Sequence, residues 1–183
     1  MTEMATTAGR LDEAWVADFA ARYLAAWNTH DADALLALMT EDVVYDDSAW
    51  PQTMRGHADV RTFLEHAWRA MPDLTFELLD GPFLALAEPK LAARWRGTGT
   101  LTGPMDPPGF APTGGRIEFT GFDLHEYRDG RICRLVIQFD TAVPARQIGA
   151  LPQQGSRGEQ LAAALQRVAA RRMRRRRSAR RRH

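Results

Sequence analysis

Asp123 and His125, an aspartate and a histidine two positions apart, are the clearest sign of chemistry in this chain. On a β-strand, residues i and i+2 point the same way, about 6–7 Å apart, so the carboxylate and the imidazole share a face. Burial raises a carboxylate pKa and lowers that of a histidine, while the mutual attraction of the pair opposes both shifts. A pair balanced in this way holds a proton near neutral pH, as general acid/base catalysis requires. Tyr45 and Tyr127 offer hydroxyls to a substrate oxygen, and Trp50 and Trp95 offer faces to a flat polycyclic ring. Phe119, Leu135, Ile137 and Phe139 complete the expected apolar lining. The competing reading is purely structural: Asp123 and His125 satisfy only each other, the backbone or water.

The element that positions this pair is a hairpin over residues 115–140. Two runs of β-branched, aromatic and aliphatic residues flank Asp129-Gly130, a strong turn signal. Alternation puts Ile117, Phe119, Asp123, His125 and Tyr127 on one side of the first strand. A two-residue turn would set Arg134, Val136, Gln138 and Asp140 beside them. A three-residue turn, with Gly130 as a left-handed bulge, sets Cys133, Leu135, Ile137 and Phe139 there instead. The second option is preferred because it gathers the apolar residues on one face. Asp140 then lies on the other face, in an ion pair or a strand cap.

Upstream, Trp15, Phe19, Tyr23 and Trp27 recur every four residues within 11–27, the stripe of an amphipathic helix laid on a sheet. Residues 28–31 break it, with His30 expected in solvent or in a capping role, and Asp31 caps a short second helix. Residues 41–47 alternate as a strand with Val43 and Tyr45 on one side and Asp42, Val44 and Asp46 on the other. A loop over 48–52 is long enough to reach across a cavity mouth. Val60, Phe63, Leu64, Ala67 and Trp68 mark a third helix, with His57 near its start and His66 on its surface. Strands follow over 74–86, broken near Gly81-Pro82, and over 90–101, then a Pro/Gly-rich loop over 102–114. Helices segregated to one face of a strongly curved antiparallel sheet make an α+β domain with a conical pocket.

Length favours one domain with appendages: a disordered N-terminus over 1–10, a folded domain over 11–152 and a tail over 153–183. A single cysteine suits a reducing compartment, taken here as the cytoplasm. No apolar run is long enough to span a membrane, and the first ten residues do not read as a secretory signal. Zinc spacing, a phosphate loop and a dinucleotide fingerprint are missing from the sequence, so neither metal nor cofactor is expected. The formal net charge of +1 conceals two opposite objects. Residues 157–183 hold 11 of the 24 Lys+Arg and one of the 23 Asp+Glu, which leaves the remainder at −9. The tail reads as a short helix over 159–170 followed by an arginine run over 171–182. That run can attract nucleic acid through nonspecific electrostatics, but a solvated extension is preferred because no aromatics interleave with the charges.

The order of elements, with Tyr23-Leu24-Ala25-Ala26-Trp27-Asn28, Glu41-Asp42-Val43-Val44-Tyr45, Gly56-His57, Pro72-Asp73-Leu74, Gly97-Thr98-Gly99-Thr100 and Asp129-Gly130-Arg131-Ile132, resembles the SnoaL-like polyketide cyclases of the nuclear transport factor 2-like superfamily. The resemblance covers roughly residues 11–151. It implies a cone-shaped α+β fold, a homodimer through the open sheet face and a small hydrophobic ligand. In the cyclases it implies ring closure by aldol chemistry without metal or organic cofactor. Counted from the shared Asp-Gly turn, the cyclase histidine position falls on Asp123 and their catalytic aspartate on Ile137. The resemblance therefore carries the fold over and leaves the aldol roles unfilled. A polyketide-like substrate turned over by Asp123 and His125 is one expectation. A noncatalytic ligand-binding or scaffold module is the other.

Overall fold

The computed structural model describes residues 11–180; the expectations for residues 1–10 and for the last three residues of the tail lie outside them. Helix α1 (Glu13–Asn28) begins where the Asp12 side chain accepts a hydrogen bond from Trp15 N–H at 2.9 Å. It buries Val16, Phe19, Tyr23, Ala26 and Trp27, spaced by three and four residues along one face. Asp31 caps α2 (Ala32–Ala37) by accepting from Ala34 N–H, as its position suggested. His30 departs from expectation. It adopts a φ of 55°, stacks on Trp68 and sets Nε2 2.8 Å from the Leu74 carbonyl, so it joins two segments and is half-buried.

Strand β1 (Met39–Asp47) precedes the two-residue β2 (Met54–Arg55) and α3 (Gly56–Ala70), which buries Val60, Phe63, Leu64 and Trp68. Four longer strands follow: β3 (Thr75–Leu84), β4 (Lys90–Thr100), β5 (Arg116–Arg128) and β6 (Arg131–Phe139). They form one sheet in the order β2-β1-β6-β5-β4-β3. The sheet is mixed, not wholly antiparallel as expected, because β1 runs parallel to β6. Alternation assigns a strand's faces and is silent about which strand becomes its neighbour and in which direction. With helices on this sheet the architecture is the α+β class expected.

The hairpin corrects a second expectation. Arg128 pairs with Arg131 around a two-residue turn, with both Asp129 (φ 51°) and Gly130 (φ 72°) left-handed. The register then shifts between Glu126 and Tyr127, so that Tyr127 pairs with Ile132 while His125 pairs with Leu135 and Asp123 with Ile137. Cys133 is the extra residue of a bulge, half-buried and bonded to the Glu126 carbonyl. The preferred face assignment for Leu135, Ile137 and Phe139 therefore holds. It comes about through a short turn plus a bulge, and Ile132 takes the buried place assigned to Cys133.

On the inward face Gly121 lies between Trp95 and Phe139 in the register. A Cβ there would stand 2.5 Å from the Trp95 ring and 2.8 Å from the Gln138 carbonyl, so only glycine lets the indole close over the strand. The outward face carries Phe122 (51% exposed) and Leu124 (39%), with Ala92 and Val136 beside Leu124 in the register. The loop after β4 is tied down by Gly103 N–H bonding to the Ala70 carbonyl. Asp140 accepts from Ala142 N–H at the start of the short α4 (Ala142–Gln147).

The chain divides into two compact units, the first ending at Ile148 and the second beginning at Gly149. In the second, α5 (Arg157–Arg180) is one continuous helix, so the short helix expected over 159–170 runs on through the arginine-rich segment. Among the described residues no helix is long and apolar enough to cross a membrane.

Candidate active site

Strand β5 brings Asp123, His125 and Tyr127 onto one buried face at alternate positions, and their side chains form a hydrogen-bonded chain. Asp123 Oδ2 lies 2.9 Å from His125 Nε2, and His125 Nδ1 lies 2.9 Å from the Tyr127 hydroxyl. Asp123 is 6% exposed and His125 4%, in a wall otherwise made of Leu91, Ala93, Leu135 and Ile137. Helix α1 covers them: the Tyr23 ring meets His125 edge-on at 5.0 Å, and Trp15 and Phe19 meet Tyr127 edge-on.

The proton positions in the chain follow from chemistry. Burial pushes the Tyr127 hydroxyl far above its ordinary pKa, as do Tyr23 and Asp123, so Tyr127 keeps its proton. It donates to Nδ1 of a neutral ring, which places the ring proton on Nε2, donating to Asp123. A ring that takes up a second proton keeps both bonds, with the Tyr127 hydroxyl turning from donor to acceptor. The chain thus accommodates one extra proton without losing a hydrogen bond.

Its open valence is at the other end. No donor among the described residues reaches Asp123 Oδ1, although that atom is buried. A carboxylate oxygen deprived of both water and partner is costly, by roughly 1–3 kcal/mol or more for a charged group, and such atoms mark places where something else binds. The Tyr45 hydroxyl is buried as well and interacts with the Asp47 carboxylate. Burial raises its pKa well above the usual value, with Tyr23, Asp47 and Asp123 adding to the shift.

Asp47 is the residue that the sequence reading passed over. It pairs with Ile137 on β6, which pairs in turn with Asp123 on β5, so the two carboxylates flank Ile137 in one inward-facing row. Burial lifts Asp47 to about 6, against the Ala49 N–H at 2.7 Å and the Tyr45 hydroxyl, which both hold it down. The signal was present in the parity of β1, since Asp47 follows Val43 and Tyr45 on the inward side. Asp46 points outward to Thr53 and Arg134. Tyr23, read only as part of the packing stripe, belongs to the same group: desolvation, Asp123 and Asp47 all push its pKa up, while a bond to Trp27 works the other way.

The raised Asp47 pKa has a consequence for stability. The folded chain holds a proton on Asp47 that the unfolded chain, with its carboxylates near 4, has already released. Stability from this group is therefore present below about pH 4 and lost as pH rises toward 6. Asp42 and Asp73, held low by hydrogen bonds from Thr40 and Thr100 respectively, titrate with the opposite sign. The informative quantity is thus a difference: Asp47→Asn should gain stability relative to the native chain between pH 4 and 7, read from urea midpoints at each pH. A constant difference would refute the shift.

The remaining lining residues divide. Trp95 is buried among Phe76, Phe119 and Phe139, with ring centroids 5.3–6.1 Å away. Phe119 and Phe139 are half-buried against each other at 4.9 Å. Trp50 is half-buried at the end of β1, edge-on to Phe63 and His66. An open cleft of about 340 Å³ between α1 and α2 is lined by Arg22, Ala25 and Leu38 among others and by none of the site residues. Among the described residues no three His, Cys, Asp or Glu stand together as metal ligands.

Comparison with known proteins places this fold. The model of a SnoaL-like domain matches residues 20–135. TsrD from Streptomyces laurentii is 26% identical and superposes with a TM-score of 0.66 over 77% of this chain and 99% of its own. AclR, a proposed hydroxylase from Streptomyces galilaeus, is 22% identical with a TM-score of 0.64, over 87% of this chain and 95% of its own. IdmH, a proposed polyketide cyclase from Streptomyces antibioticus, is 24% identical with a TM-score of 0.59, over 73% and 97%. At these last two identities the likeness is one of fold. No curated protein matches the sequence.

Proposed function

The chain belongs to the SnoaL-like domain family, and from that premise we propose that it is a small-molecule enzyme that moves protons on a hydrophobic, polyketide-like carbonyl compound without metal or organic cofactor. The Asp123–His125 pair is its acid/base group. The observation that carries this reading is the buried Asp123 Oδ1 with no donor among the described residues, at the end of a hydrogen-bonded chain that tolerates an extra proton. A buried carboxylate oxygen without a protein donor is a place where a ligand hydroxyl or enol can bind. Oδ1 is then where a substrate oxygen receives or returns a proton, His125 holds the balancing charge, and Tyr127 fixes the ring.

The proposed hydroxylase and the proposed polyketide cyclase share this fold, which by itself does not select between their activities. In this chain Ile137 lies between Asp47 and Asp123, so the carboxylates stand on either side of the position where the cyclases carry theirs. The same reading takes the chain as a homodimer through the outward face bearing Phe122 and Leu124. The test is α-hydrogen exchange of a hydrophobic bicyclic ketone, 2-tetralone, in D₂O, followed by proton NMR. The native chain should accelerate exchange at least 100-fold over buffer of equal pH. Binding of the ketone with no acceleration would favour a noncatalytic ligand-binding module instead.

A further inference from the structure

We propose that Asp47 is a second proton-transferring carboxylate of this site, acting across Ile137 from the Asp123–His125 pair on the carbon end of an enolisable carbonyl compound. The inference rests on the proton-transfer reading above and extends it to a further residue.

The sheet register makes the argument. Asp47, Ile137 and Asp123 are successive residues in one row across β1, β6 and β5, all on the inward face. Adjacent strands lie about 4.8 Å apart, so the two carboxylates originate about 9–10 Å from each other, separated by a side chain that cannot ionise. A carbonyl compound that reaches both carboxylates spans about that distance, counting a hydrogen-bond-length contact of about 2.8 Å at each end. One unsatisfied atom points to an occupant. Asp123 Oδ2 is engaged by His125, which leaves the buried Oδ1 turned away from that bond with no donor among the described residues. Burial, Asp123 and Asp47 all raise the pKa of Tyr23 on α1, so this hydroxyl stays protonated beside the row.

Asp47 itself is suited to exchange. It is half-buried where Asp123 is closed off, and Ala49 N–H holds its carboxylate in place. The end of β1 is anchored by Ser48, whose N–H and hydroxyl both donate to the Ile137 carbonyl at 3.2 and 3.1 Å. A base whose own affinity for protons lies near the working pH takes a proton and gives it back with little penalty in either direction.

The step balances without a co-reactant. The Asp47 carboxylate takes a proton from the carbon next to the carbonyl, and the C–H electron pair becomes the carbon–carbon double bond of the enol. The carbonyl oxygen takes the proton held by the Asp123–His125 pair. Return of the Asp47 proton to the same carbon gives exchange, and return to a conjugated carbon gives an isomer. The substrate class is thus a hydrophobic ketone or related carbonyl compound bearing an acidic C–H.

The test uses the full chain and 2-tetralone in D₂O at a ketone concentration where line broadening shows binding. Asp47→Asn keeps the oxygen that accepts from Ala49 and should fold with an unchanged circular dichroism spectrum while slowing exchange at least 100-fold. Asp46→Asn, one residue away with the same charge on the outer face, should stay within about twofold of the native rate. Exchange by Asp47→Asn within threefold of native overturns the role of Asp47 while leaving the Asp123–His125 reading intact. Loss in Asp47→Asn together with a native rate in Asp123→Asn keeps Asp47 and overturns that earlier reading. Absence of binding or exchange in the native chain overturns both.

Discussion

Asp123→Asn should slow proton transfer by about 10²–10⁴-fold, the span that a positioned acid/base group contributes, and should leave the fold standing. Asparagine has nearly the same shape, and its carbonyl oxygen can still accept from His125 Nε2, so the chain through His125 to Tyr127 persists. What it removes is the ability to hold a proton at the oxygen that no donor among the described residues satisfies. Stability should change little, because a buried anion with one unpaired oxygen is replaced by a neutral amide. Rates of 2-tetralone exchange and urea midpoints, measured on the same samples, separate the two effects. A native rate in a well-folded variant would reduce Asp123 to a structural partner of His125.

Phe19→Ala should cost about 3–5 kcal/mol of stability, the usual penalty for truncating a buried aromatic side chain. Phe19 is 1% exposed on α1 and fills the space between Trp15, 5.0 Å away, and the edge of Tyr127 at 5.1 Å. Part of the loss is transfer free energy and part is the cavity, since α1 is held by its other buried residues and cannot collapse freely. The cavity opens against the ring whose hydroxyl fixes His125, so the variant should also lose exchange activity at temperatures where it remains folded. Urea denaturation gives the first quantity, and a cost below about 1 kcal/mol would mean that α1 is not packed on the sheet as described.

The two results probe different links, one the chemistry of a single oxygen and the other the packing that holds its neighbours. Both converge on β5, and they differ in how far the sequence alone could anticipate them. Alternation along residues 116–128 was sufficient to turn Asp123, His125 and Tyr127 inward and Phe122 and Leu124 outward. The four-residue recurrence from Trp15 to Trp27 was sufficient for α1 and its buried face. These are properties of a few consecutive residues, because side-chain direction has a fixed period in each kind of element.

Which elements become neighbours was settled by tertiary structure. The parallel pairing of β1 with β6 puts Asp47 in the row of Asp123, residues 76 positions apart whose relation no local period encodes. The bulge at Cys133 set the register that the turn residues alone would have set differently, because burying Leu135 and Ile137 outweighs one irregular pair. Closing α1 over β5 converted a two-residue motif into a carboxylate with one oxygen cut off from bulk water and from any donor among the described residues. A sequence determines which way its side chains face. Desolvation, and with it the shifted Asp47 and the unsatisfied Asp123 oxygen, exists only once separate stretches of chain have packed together.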